Sequence, residues 1–170
     1  MNIYFRVDSS LEIGSGHMMR CLALAEALRE KGAKASFICR DLPGNLCSLI
    51  EKRGFMLYHL PFNHKIPEDK KKSVVKHAGW LGVSWEIDAI ETRAILINET
   101  AQTDWLIVDH YALDRQWENN IRPYVKKIMI IDDLAGKLPE AFPGPAAELS
   151  RRRTIILAAG RTISERTETF

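Results

Sequence analysis

The sequence predicts a doubly wound α/β domain, a parallel sheet with helices on both faces. Short apolar runs alternate with amphipathic helical segments, and Gly, Pro and Asn punctuate the joints between them. Polar residues also gather just past several of the apolar runs, as they do at the carboxyl edge of such a sheet. With 170 residues, 46% of them hydrophobic, the chain is long enough for one buried core.

The elements follow in order. Asn2 to Val7 reads as a buried strand, and Met18 to Lys31 carries the Leu22, Ala25, Leu28 spacing of a helix closed by Gly32. Ala35 to Cys39 is a second strand, and the turn-rich Arg40 to Asn45 leads into a short helix ending near Arg53 and Gly54. Phe55 to Leu60 is a third strand, stopped by Pro61, and the stretch from Asn63 to Lys72 reads as a mobile polar loop. Ser84 is placed to cap a helix to about Asn98, with Ile87, Ile90, Ala94 and Ile97 on one face. Trp80 and Trp85 flank Gly82, either as a packed turn or as an aromatic wall for a sugar-like ligand. Trp105 to Val108 is a fourth strand and Lys127 to Ile131 a fifth, separated by a helix through Trp117 that Asp114 caps and Pro123 helps to end. Thr154 to Ala159 fits a sixth.

Between the first strand and first helix lies Gly14-Ser15-Gly16-His17. Two glycines bring bare backbone N–H groups close to a ligand, and the following helix points its positive dipole end at the same place. An anion is expected there. That dipole disfavours an imidazolium at His17, so a neutral ring able to accept a proton is expected, making His17 the candidate general base. The same histidine can instead simply hydrogen-bond the turn.

Five polar residues, Asp8, His17, Asp109, His110 and Asp132, are predicted at the carboxyl edge, where such sheets bind ligands. Other chemistries fit poorly. Met19 stands where a dinucleotide fingerprint needs its third glycine, although Arg40 at the end of the second strand suits a 2′-phosphate. There is no Gly-Lys-Ser/Thr of a Walker loop and no Gly-x-Ser-x-Gly elbow. His17, His77, His110 and Asp109 have no local metal-ligand spacing, so neither metal nor cofactor is expected. The three cysteines, Cys21, Cys39 and Cys47, read as reduced packing residues. A net charge of +2 and a lysine cluster without interleaved aromatics disfavour nucleic acid. No apolar run approaches the roughly 20 residues of a membrane helix, and no signal peptide is evident, so a cytoplasmic location is expected.

Beyond this physics, Phe5-Arg6-Val7-Asp8-Ser9-Ser10 with Ile13-Gly14-Ser15-Gly16-His17 and Met19-Arg20-Cys21-Leu22 resembles the opening of a known family. It is that of the UDP-2,4-diacetamido-2,4,6-trideoxy-β-L-altropyranose hydrolases of bacterial pseudaminic acid synthesis. Trp80 to Trp85 with Asp88-Ala89 and Glu91-Thr92, Val108 to Asp114 with Trp117-Glu118, and Ile131 to Ala135 extend the resemblance. It implies a glycosyltransferase-like GT-B architecture of two Rossmann-like domains. It also implies release of UDP by water attacking the anomeric carbon, with inversion and without a metal. The catalytic base of the family falls on His17. The backbone of Gly14, Ser15 and Gly16 would face the diphosphate, and motif position makes Arg6, Asp8, Ser9, Asp109, His110 and Tyr111 sugar or supporting contacts.

The resemblance ends at Ala135. Residues 136–170 diverge, with arginine as the basic residue from Leu138 onward and Pro139, Pro143 and Pro145 close together. The family continues into a second domain that carries most contacts to uridine and diphosphate. Residues 1–135 are therefore expected to be an amino-terminal half-domain followed by a divergent tail from a truncated or frameshifted reading frame, and activity is expected to be impaired. The alternative is a non-catalytic sugar-binding or remnant fragment, self-associating through the surface that the missing domain would cover.

Overall fold

The computed structural model describes residues 1–62, 78–99 and 102–131, with strand segments at 154–157 and 164–165. The strands are β1 (Asn2–Val7), β2 (Lys34–Arg40), β3 (Met56–Leu60), β4 (Thr103–Asp109), β5 (Val125–Ile131), β6 (Thr154–Leu157) and β7 (Ser164–Glu165). The helices are α1 (Gly16–Glu30), α2 (Cys47–Lys52), α3 (Trp85–Asn98) and α4 (Arg115–Ile121). One sheet of order β3-β2-β1-β4-β5-β6-β7 holds them, parallel throughout except for the β6–β7 pair. The Rossmann-like α/β class is therefore the one expected. The chain winds outward from β1 to β3 and then returns to the other side of β1, so the switch point lies between β1 and β4.

Alternation along β1 divides its side chains between two cores. Phe5 and Val7 pack with Met18, Cys21 and Leu22 of α1 and Ile50 of α2, with Phe5 stacked on Phe37 at 4.9 Å. Tyr4 faces the other way, with Leu106 and Val108 of β4 and Trp117 and Ile121 of α4. All three cysteines are free and buried. Among the described residues no helix is long and apolar enough to cross a membrane.

Four details differ from expectation. Helix α1 begins two residues early, because the glycine turn closes within Ser10–Gly14, leaving Ser15 at the N-cap and His17 already helical. Ser84 occupies the N-cap of α3, but its side chain makes no capping hydrogen bond. The isoleucine face of α3 points outward: Ile87, Ile90 and Ile97 are 46%, 55% and 56% exposed, while Asp88, Ala89, Thr92 and Leu96 are buried. Strand β6 is described over Thr154–Leu157, with 158 and 159 outside the described residues, and a short antiparallel β7 pairs with it that the polar tail did not announce. The 63–72 loop, His77 and Asp132 lie outside the described residues.

Candidate functional site

The Ser10–Gly14 turn is built by hydrogen bonds that the serine organises. Its Oγ accepts from the Glu12 and Ile13 N–H groups at 3.2 and 3.0 Å, and its carbonyl accepts from Gly14 N–H at 2.9 Å. Gly14 has φ +79°, a conformation in which a side chain would be strained. Its N–H is committed to the turn, so an anion arriving at this end would meet the start of α1, where a helix directs its positive dipole end, rather than Gly14. Ser15 offers that end no side-chain cap, and the first turn holds no acidic residue.

An open depression of about 390 Å³ lies at this helix end, lined by Ile13, Gly16, His17 and Arg20. His17 and Arg20 share it because residues three apart lie on one helix face. Arg20 grips Asp109, the last residue of β4, through Nε and a terminal nitrogen, both at 2.9 Å. His17 Nε2 stands 4.0 Å from the same carboxylate, which is thus already charge-paired. Cys21 Sγ lies 3.6 Å from its other oxygen, and burial together with that negative charge pushes the thiol pKa up. Tyr111 meets the His17 ring in a T-shaped contact at 4.8 Å, and Trp80 lies 6.4 Å away. His17 itself keeps a narrow opening, with 12% of its side chain exposed.

The two tryptophans have divided roles. Trp80 lies beside the His17–Tyr111 pair, whereas Trp85 packs against the core on the α3 side of the sheet. Gly82 between them has φ +72°, and a Cβ there would lie 2.9 Å from the Phe62 ring and 3.0 Å from Leu42 Cδ2. Both conditions require glycine.

Several other candidates are brought together elsewhere, in a buried charge network. Arg6 holds Asp8 at 2.6 and 2.9 Å and Asp88 at 3.1 and 2.5 Å, all three side chains fully buried. Arg40 joins it by donating to Asp88 and Glu91, each at 2.7 Å, and its backbone N–H donates to Asp8. Trp117 Nε1 donates to Asp88 at 2.9 Å. Burial alone would raise the pKa values of Asp8 and Asp88, but the Arg6 guanidinium outweighs it and holds both below the ordinary carboxylate value. Arg40 is enclosed here, which removes it from any 2′-phosphate role.

His110 faces this network. Its Nδ1 accepts from Ala112 N–H at 3.1 Å, so the neutral ring carries its proton on Nε2. Nε2 lies 3.2 Å from Asp8 Oδ2, close enough for charge attraction though poorly aligned as a hydrogen bond. Ser9 is also buried, its Oγ accepting from Leu46 N–H at 2.9 Å. Of the sequence candidates, His17, Gly16, Asp109 and Tyr111 therefore converge at the cleft, with exposed Gly14 and Ser15 on the turn before it. Arg6, Asp8, Ser9 and His110 form the interior behind. Sequence reasoning assigned no role to Arg20, signalled by its three-residue offset from His17, or to Asp88, which had appeared only as part of the Asp88-Ala89 motif.

No protein-family model matches the chain, and no curated protein matches it. Among solved structures it is similar to MurG of Acinetobacter baumannii, at 9% identity and a TM-score of 0.43. That alignment covers 85% of this chain and 43% of the MurG chain, so the chain spans less than half its length.

Proposed function

We propose that this chain is the amino-terminal, water-activating half of a UDP-sugar hydrolase, acting on UDP-2,4-diacetamido-2,4,6-trideoxy-β-L-altropyranose. The observation that carries the reading is the position of His17, on the first turn of α1, at the mouth of an open cleft and facing a charge-paired Asp109. The parts of the sequence resemblance at Ile13 to Leu22 and Asp109 to Tyr111 fall at this edge of the sheet. In this reading His17 takes a proton from water as the oxygen attacks the anomeric carbon. The carbon–oxygen bond to the diphosphate breaks, UDP leaves, and the uncapped helix end stabilises negative charge. Tyr111 and Trp80 bound the sugar side, and a second GT-B domain supplies the uridine contacts.

The test measures UDP release from the UDP-sugar by this chain alongside His17→Ala, while the ring resonances of His17 are followed by NMR. Slow release is expected, lowered by about a hundredfold to ten-thousandfold in the variant, the usual contribution of a general base. Release that survives the substitution removes His17 from the reaction. Perturbed ring resonances without release would favour a sugar-binding module, and neither signal would end the reading.

A further inference from the structure

A second constellation lies on the opposite flank of the sheet, where β2 and β3 end. Asp41 follows β2 directly, His59 is the register partner of Cys39 across the β2–β3 ladder, and Cys47 opens α2, which packs over that face. One ligand atom from each of Asp41, Cys47 and His59 lies within 4.8 Å of the other two. We propose that these three side chains form a binding site for a borderline divalent transition metal, with zinc as the ion it suits best.

The donor set is one nitrogen, one sulfur and one carboxylate oxygen, which is zinc chemistry rather than that of calcium or magnesium. In a tetrahedral zinc site neighbouring ligand atoms stand about 3.3–3.6 Å apart, as follows from metal–ligand bonds of about 2.0–2.3 Å. The separations here bracket that value: 2.6 Å from His59 Nδ1 to Asp41 Oδ1, and 4.0 Å from Cys47 Sγ to the same oxygen.

The surroundings are also those of a metal site. His59 turns Nδ1 toward the cluster and Nε2 toward Glu51, which at 4.0 Å is beyond hydrogen-bond distance but lies on the side where an outer carboxylate commonly orients a ligating imidazole. Glu51 occupies this place because it is four residues from Cys47, on one side of α2. The Asp41 and His59 side chains are both 44% exposed, which gives an ion an entry path, while Cys47 is buried beneath them. Three protein ligands leave a fourth position for water. The site joins the exit of β2, the end of β3 and the start of α2. Its role is to pin this edge of the sheet, and β1 separates it from the strand that carries Asp109.

The reduced, chelator-treated protein is titrated with Co²⁺ and then with Zn²⁺, alongside Cys47→Ser, His59→Gln and His17→Ala. One equivalent of cobalt is expected, with a thiolate charge-transfer band that zinc abolishes, and zinc should raise the melting temperature. Binding should weaken by about tenfold or more in Cys47→Ser and His59→Gln and stay unchanged in His17→Ala. Cobalt that binds without a thiolate band, or equally well to Cys47→Ser and His59→Gln, overturns the assignment, as does an absence of binding. His59→Gln alters a half-exposed side chain and so should leave the circular dichroism spectrum unchanged. Its loss of metal then reports on ligation rather than on folding.

Discussion

Asp88 shows how much one residue can organise. It accepts from Arg6, Arg40, Trp117 and Thr92 while fully buried, so its removal takes a carboxylate from two enclosed guanidinium groups and leaves Arg6 only Asp8 and Arg40 only Glu91. Breaking a buried pair in this way costs about 3–5 kcal/mol, and Asp88→Ala should lose that much in urea unfolding. A loss below about 1 kcal/mol, the scale of an exposed pair, would mean that the network is solvated. None of this was legible around Asp8 or Arg6. Asp8 read as an edge residue because it follows an apolar run and Arg6 as a contact by motif position alone, and only a partner 82 positions beyond Arg6 in sequence encloses them. His17 was legible because its surroundings are local: a glycine turn, a helix start and a neighbour at Arg20 lie within a few residues.

At the scale of the element, α3 carries two stripes that compete for the sheet. The isoleucine stripe announced the helix and its length, yet the inward face is Asp88, Ala89, Thr92 and Leu96. The reason lies in the strands: Arg6 and Arg40 project toward α3 and require an acid opposite them, and Asp88 fixes the rotation of the helix. Ile90→Lys should therefore change stability by less than about 0.5 kcal/mol, as surface substitutions do. Leu96→Ala should cost about 2–5 kcal/mol, the range for truncating a buried leucine. Chemical denaturation of the two variants decides the matter, and a reversed ranking would place the isoleucines inside. Helix existence was thus readable from periodicity, whereas helix rotation depended on charges in other elements.

Across the whole molecule, the strand and helix order was readable because parallel α/β units repeat one local pattern. The antiparallel β7 was not, having only two residues and no alternation to reveal it. The buried carboxylates give the molecule a pH signature. Asp8 and Asp88 have folded-state pKa values below the ordinary 3.8, so below that value the unfolded chain binds more protons than the folded one. Their contribution is complete above it and declines as pH falls toward the folded-state values. Glu118, whose pKa burial raises, acts in the opposite sense as pH rises past its ordinary value, but it is one group against two. Urea midpoints should stay nearly level from neutral pH to about 5 and drop steeply below about 4, by this linkage. A flat profile through that region would show the carboxylates to be unperturbed.

The sheet also has a direction. The Met1 carbonyl accepts from Lys34 N–H at the amino ends of the strands, whereas the His17 cleft opens past the carboxyl ends, roughly 20 Å away at about 3.3 Å per strand residue. An affinity tag or surface tether attached ahead of Met1 would thus leave from the remote rim. Molecules immobilised by that end would present their clefts outward to whatever flows past.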